Sequence, residues 1–322
     1  MRTTLIYNPH AGFGSWQETM RKVAEVWKGA GWQTTLRPTE YAGHATILAR
    51  EAAEAGHELV IAAGGDGTLN EVANGLVHTQ TAVATLPVGT GNSFARELGL
   101  PSPTLLEPGN IFDASRLLIR GDIYQMDVGR LDNGRYWLLW VGTGVDGYVV
   151  EQIEPRSKLF KRLGRGGYAA KALLFVPGFT GIEGVVTIDD QPLAADYLVI
   201  NISNCRLFGG GEFVLNAHGV LDDGFFEVWL FRGSDWPTLR LMRYILEMSL
   251  ENHQDDPKVV MVRGRRISVT AEPSTGFHAD GEPLGRTPFS CTIEPRALRI
   301  LIPPSAPPGL FMHPKVASGV RL

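Results

Sequence analysis

The first third of the chain alternates short apolar runs with amphipathic stretches, and the apolar runs stop at loops rich in Gly, Asn and Pro. Residues 3–7 read as a buried strand halted by Asn8-Pro9. Trp16, Met20, Val23 and Trp27 then recur at helical spacing, and Gly29 and Gly31 end that helix. A strand at 33–36, a helix at 44–55 and a strand at 59–62 follow. Further units run through 69–76, 82–86 and 94–98. Such alternation predicts a doubly wound parallel α/β sheet covered by helices on both faces.

The pattern changes after a helix at 113–119. Short strands are expected at 136–141, 184–188, 197–202, 225–230, 259–262 and 266–270, with one helix at 237–250 interrupting them. Asp189-Asp190 and Asp222-Asp223-Gly224 read as turns. This half shows the pattern of an antiparallel β-sandwich or barrel, and a β-sandwich is expected. With 322 residues the chain suits two domains. The expected division is 1–122 for the α/β domain and 123–297 for the β-sandwich. A last strand at 298–302 opens a segment, 298–322, that returns to the first domain.

Three loops in the first domain carry the chemistry. The apolar run 59–63 leads straight into Gly64-Gly65-Asp66-Gly67-Thr68, and a helical pattern opens at Leu69. Consecutive glycines let backbone N–H groups approach anionic oxygens and tolerate positive φ, and a helix N-terminus adds aligned donors. A carboxylate in such a loop suits Mg²⁺, which prefers hard oxygen ligands. Read blandly, the same residues make a tight turn that caps a helix. Pro87-Val88-Gly89-Thr90-Gly91-Asn92-Ser93 repeats the theme, and Asn8-Pro9-His10-Ala11-Gly12-Phe13-Gly14 supplies a third loop. Ligands of open α/β sheets sit beyond the strand ends, so three such loops point to one nucleotide site. Neither a P-loop nor a dinucleotide fingerprint is present.

Together these residues resemble the diacylglycerol kinase catalytic family, which includes sphingosine kinases and bacterial YegS/DgkB-type lipid kinases. The resemblance spans nearly the whole chain. It rests on Asn8-Pro9 with Gly12, the run from Gly64 to Asn70, and Gly89-Thr90-Gly91-Asn92. Downstream it rests on Asn204 through Gly211, Leu221-Asp222-Asp223-Gly224 and Asp280-Gly281-Glu282. It implies an NAD kinase- and phosphofructokinase-like first domain, and ATP- and Mg²⁺-dependent phosphoryl transfer to a hydroxyl of a diacylglycerol-like or sphingoid lipid. ATP is expected in the cleft between domains, on Asn8, Pro9, Gly12, Thr39, Gly64, Gly65, Asp66, Gly67, Thr68, Asn70, Gly89, Thr90 and Asn92. Asp66 is expected to organise Mg²⁺, and the resemblance makes Glu282 the general base. Without it, Asp280-Gly281 is a hairpin signal and Glu282 a turn residue. Similarity also implies an auxiliary Mg²⁺ at Asp223 with the carbonyls of Val220 and Phe225, and an interdomain polar network around Asp127. For Asp222 a solvated turn is expected. Ser93 stands where many members carry Asp, which bears on the substrate more than on the reaction.

Composition narrows the partners. A net charge of -4 speaks against a global nucleic-acid binder. Cys205 and Cys291 lack metal-type spacing, which fits a reducing cytoplasm. The N-terminal apolar run is too short for a signal peptide and no apolar stretch reaches the length of a membrane span, so lipid contact is expected to be peripheral, at the inner membrane face. Arg156, Lys158, Lys161, Arg162, Arg165 and Lys171 lie among apolar residues and form a candidate docking face for an anionic membrane; a helix with a solvated basic side explains them equally well. A homodimer is compatible with the resemblance. Two other functions fit parts of the pattern: a soluble-substrate kinase of the NAD kinase type, which shares the first glycine loop, and a non-catalytic lipid-binding relative.

Overall fold

The computed structural model describes residues 1–12, 16–104, 106–153, 179–233 and 235–316. The chain divides into two compact units: Met1–Asp127, Val220–Asp223 and Pro295–Leu322 make the first, Val128–Gly219 and Gly224–Glu294 the second. This division departs from the expected one in three places. Residues 123–127 and 220–223 join the first unit, and the C-terminal return begins at Pro295 rather than at 298.

The first unit contains β1 (Arg2–Tyr7), α1 (Gln17–Gly29), β2 (Gln33–Pro38), α2 (His44–Glu54), β3 (Leu59–Gly64), α3 (Asp66–Leu76), β4 (Ala82–Pro87), α4 (Ser93–Glu97) and α5 (Asn110–Ile119). The strands run parallel in the order β2-β1-β3-β4, with Leu5 beside both Leu36 and Ile61, and Ile61 beside Ala84. Beyond β4 the C-terminal return adds Ile300 beside Val83, also parallel. From Thr3 on, β1 is buried throughout, as are β3 and β4, which is why these strands read as continuous apolar runs; the edge strand β2 is only half-covered. Helix α1 packs on α5, and α2 on α3, as a doubly wound sheet requires. The strand order reverses between β1 and β3, so the crevice of the sheet opens at the ends of those two strands.

The second unit is antiparallel. After the end of β5 (Asp122–Leu131) come β6 (Tyr136–Trp137), β7 (Trp140–Gly144), α6 (Val145–Ile153), β8 (Ile182–Ile188), β9 (Gln191–Ser203), β10 (Leu207–Phe208), β11 (Phe213–Val214) and β12 (Phe226–Arg232). Then follow α7 (Pro237–Ser249), β13 (Val259–Gly264), β14 (Arg266–Glu272), β15 (Gly276–Ala279), β16 (Glu282–Arg286) and the start of β17 (Phe289–Ile302). The long strand β9 has several partners: its first half pairs with β8, its second half with β7, and β12 pairs along its other edge. Trp137, Tyr197, Phe226, Trp229 and Phe231 fill the core of this β-sandwich-like unit. Asp189 and Asp190 both take positive φ in the two-residue turn joining β8 to β9.

Several expectations are corrected by long-range contacts. The single strand expected at 136–141 is two, β6 and β7, because Leu138, Leu139 and Trp140 turn their N–H groups onto the Asp280 carboxylate at 2.8, 2.8 and 3.2 Å. Helix α3 starts at Asp66, not Leu69, since extended Gly65 leaves Asp-Gly-Thr free to form the first turn. Asp222 is not in a solvated turn. It is 2% exposed, and its carboxylate accepts the N–H groups of Met312 and His313 at 2.7 and 2.9 Å. Beside it, Leu221 donates its N–H to Leu310 and receives that of Asp127, each at 2.8 Å. Asp127 is wholly buried in the first unit and accepts the Arg296 N–H at 2.6 Å.

Loss of a buried carboxylate that accepts two backbone N–H groups is costly, so Asp222→Ala is expected to lower stability by about 1–3 kcal/mol. Urea unfolding measures this; a change below about 0.5 kcal/mol, the size usual for solvated positions, would restore the solvated-turn reading.

Candidate functional site

The three glycine loops of the first unit meet. The loop after β1 is shaped by Asn8, which donates its N–H to the Ala63 carbonyl at 3.2 Å and accepts the His10 N–H on its side chain at 2.9 Å. Pro9 follows, half-buried, and Gly12 has φ +59°, with its Cβ position only 2.4 Å from the Val88 carbonyl oxygen. The loop after β4 therefore lies directly against it. On its other side Val88 and Gly89 donate to the Gly64 carbonyl at 3.1 and 3.3 Å. A Cβ at Gly89 would stand 2.5 Å from the Gly65 Cα, which no side chain allows. Neither Gly65 nor Gly89 has positive φ, so closeness of backbones, not turn conformation, is what demands glycine there.

Asp66 ties the second loop to the third. Its two carboxylate oxygens accept the N–H groups of Ser93 and Phe94 at 2.9 and 3.1 Å, the opening donors of α4. Asp66 does act as a helix cap, as the bland reading had it, but for another helix than its own. Asn92, buried and left-handed at φ 58°, closes the third loop by accepting the Gly89 N–H at 3.1 Å and donating to the Gly89 carbonyl at 2.8 Å. Thr68 packs its side chain over Gly64. Gly67 faces open space in the first turn of α3, where helix geometry gives its N–H no intrahelical acceptor, while Thr68 gives its own to the Gly65 carbonyl at 3.0 Å. Thr90 is exposed at the tip of its loop, and Thr39 is held beside β1 by its N–H bond to Tyr7 at 2.9 Å. Asn70 is buried on α3 and accepts from the Asn74 side chain at 3.1 Å, which makes it a helix-packing residue in this state.

The donors suit the groups the site would take. A phosphate would meet first-turn N–H groups and a backbone concavity that a Cβ would fill. Each Asp66 oxygen keeps a second lone pair beyond the N–H it accepts, so the carboxylate can still serve a divalent cation. Val220 and Asp223 of the first unit supply a carbonyl oxygen and a carboxylate, hard donors of the type Mg²⁺ accepts. The described residues hold no cluster of three or more His, Cys, Asp or Glu side chains arranged for a metal. The guanidinium groups of Arg263 and Arg265 both lie over the Phe225 ring, at 4.6 and 4.5 Å from its centroid.

In the second unit, Asp280 and Gly281 form the positive-φ turn between β15 and β16. Sequence reasoning found the turn but not the role of Asp280, whose carboxylate receives the three N–H groups noted above. Glu282 follows the turn, exposed and paired with the Arg135 guanidinium. The basic cluster from Arg156 to Lys171 and residues Phe13 and Gly14 of the first loop lie outside the described residues. No helix among the described residues is long and apolar enough to cross a membrane.

With this geometry in place, likeness to known proteins identifies the fold's family. Residues 2–131 match the model of the diacylglycerol kinase catalytic domain, and residues 140–302 match that of the YegS C-terminal NAD kinase beta sandwich-like domain. A diacylglycerol kinase of Bacillus subtilis is 29% identical over 305 residues, covering 94% of this chain and 96% of that protein. One of Staphylococcus saprophyticus is 30% identical over 290 residues, covering 89% and 90%. A crystal structure of a diacylglycerol kinase from Bacillus anthracis superposes with a TM-score of 0.71 at 23% identity, covering 95% of this chain and 98% of that one, which speaks to the fold alone. Its loops, its second unit and its near-full-length relatives agree: the chain belongs to the diacylglycerol kinase catalytic family and is a lipid kinase.

Proposed function

We propose that the chain transfers the γ-phosphoryl group of ATP to a hydroxyl of a diacylglycerol-like or sphingoid lipid, at the inner face of a membrane and with Mg²⁺ present. The observation that carries this reading is the meeting of three strand-end loops at the crevice of the parallel sheet, packed backbone to backbone at Gly65 and Gly89. First-turn N–H groups of α3 would face the phosphate oxygens, where aligned donors favour negative charge. Bound Mg²⁺ would supply neutralisation of the triphosphate charge; Asp66 is the residue to hold it, directly or through water, and Asp223 with the Val220 carbonyl would hold an auxiliary ion. Asp66 at the same time fixes α4, so one carboxylate joins loop geometry to cation binding.

Glu282 is assigned as the general base by its place after Asp280-Gly281, the position the family resemblance marks. Its carboxylate would take the proton of the lipid hydroxyl while that oxygen bonds to phosphorus and the bond from phosphorus to ADP breaks. The ion pair with Arg135 does not stand in the way, since exposed pairs are worth only about 0–1 kcal/mol and a substrate can displace them. The second family model is described as NAD kinase-like, so NAD is the soluble acceptor to set against a lipid.

Incubation of the purified chain with γ-labelled ATP, Mg²⁺ and dioleoylglycerol, sphingosine or NAD in separate reactions tests the reading. Label in a lipid product is expected; label in NAD alone would replace it with a soluble-substrate kinase, and none in any acceptor would favour a non-catalytic relative. Glu282→Gln is expected to lower kcat about 100-fold or more with the KM for ATP little changed, because a base acts in the chemical step. Asp66→Asn keeps one acceptor oxygen for α4 but loses the charge; it is expected to raise the Mg²⁺ concentration needed for half-maximal rate. An unchanged Mg²⁺ dependence would leave Asp66 with the capping role only.

A further inference from the structure

The second unit holds a buried pair that the proposed reaction does not use. His278 lies on β15, 1% exposed, and its Nε2 stands 2.8 Å from Oδ2 of Asp146 in the first turn of α6. The two atoms are close but off the straight donor line, so the contact is electrostatic rather than a well-aligned hydrogen bond. Room for it comes from Gly142, the residue beside His278 on β7: a Cβ there would sit 2.3 Å from the Asp146 carboxylate and 2.5 Å from the imidazole. One strand further, at the same register position, is Asn201, wholly buried with neither side-chain polar atom hydrogen-bonded. Polar groups so deep in a sandwich core cost stability, and they persist where position is needed more than stability.

The other face of the imidazole shows what is being positioned. Nδ1 of His278 accepts the N–H of Gly281 at 3.2 Å. With Nδ1 an acceptor, the neutral ring carries its proton on Nε2, toward Asp146. Gly281 is the second residue of the turn, at φ +78°, and the residue it hands on to is Glu282. The turn is thus fixed at both of its residues: Asp280 through its carboxylate on three backbone N–H groups, and Gly281 through His278. Glu282 itself is exposed, so its direction depends on how firmly the two residues before it are held.

We propose that His278, oriented by Asp146, is a positioning residue for Glu282, an inference that rests on Glu282 being the general base. The imidazole pins the Gly281 N–H, Asp146 keeps the ring in the tautomer that can do so, and the turn then presents the carboxylate in one direction. Misplacement of a reacting group by about 1 Å costs on the order of 100-fold in rate, so loss of the pin should appear in kcat.

The experiment is a double-mutant cycle on the full chain, with labelled ATP and dioleoylglycerol in mixed micelles. His278→Ala is expected to lower kcat about 10- to 100-fold while leaving the KM for ATP unchanged. His278→Asn, whose amide oxygen can accept the Gly281 N–H in place of Nδ1, is expected to recover most of that loss. In a Glu282→Ala background, His278→Ala is expected to cost little more, because a residue acting through another is silent once that other is gone. A melting temperature for each variant separates folding from function, and His278→Asn carries the test if His278→Ala does not fold. Near-normal turnover by Glu282→Ala would overturn the base assignment itself. A large loss on Glu282→Ala, combined with an unaffected or fully additive His278→Ala, or with no recovery by a folded His278→Asn, would overturn the positioning role alone.

Discussion

The backbone at Gly65 passes so near that at Gly89 that a Cβ on the second would press on the Cα of the first. That approach requires the ends of β3 and β4 to be level, which the parallel register of the two strands secures residue by residue. It also leaves the start of α3 at the loop, where Thr68 gives its N–H to the Gly65 carbonyl at 3.0 Å and the N–H groups before it have no acceptor within the helix. Asp66 then uses its carboxylate to hold the start of α4, and Asn92 folds back on Gly89, so that the loops are braced by their own side chains. A phosphate site built of backbone donors must be rigid before the ligand arrives, since each donor that has to be ordered on binding subtracts from affinity.

The second unit solves a different problem with similar means. Glu282, proposed as the base, follows a two-residue turn, and such turns are held only at their ends unless something grips them. Here the grip comes from three consecutive N–H groups on Asp280 and from an imidazole under Gly281. The first of these breaks a strand in two, and the second buries a titratable pair. Both are departures from the regular structure that the local sequence would otherwise form, and such departures concentrate where function sets the geometry.

Much of the architecture was legible because local patterns decide it. Buried strands such as β3 and β4 read as continuous apolar runs, and the helices of the first unit and α7 were placed to within a few residues by their spacing, whereas α6 was not anticipated. The glycines at 64, 65 and 89 were also visible, though for an incomplete reason: positive φ was anticipated, while the structure shows close approach, of the Thr68 side chain at Gly64 and of backbone to backbone between Gly65 and Gly89. What could not be read depends on partners far along the chain. Asp222 looked like a turn residue because Met312 and His313, which give it their N–H groups, lie in the C-terminal return. Asp280 looked like a hairpin signal because its donors are at the junction of β6 and β7. Asp146 and His278 carried no motif at all; only the pairing of β7 with β15 brings them together across Gly142.

The central claim is that the strand-end glycine loops of the first unit receive the phosphates of ATP. Glycine-selective ¹⁵N labelling with titration of a non-hydrolysable ATP analogue and Mg²⁺ addresses it most directly. The account predicts that the amide resonances of Gly65, Gly67 and Gly89 shift together and saturate at one ligand concentration. Saturable binding of the nucleotide that leaves those three resonances in place, and moves glycines of the second unit instead, would contradict it.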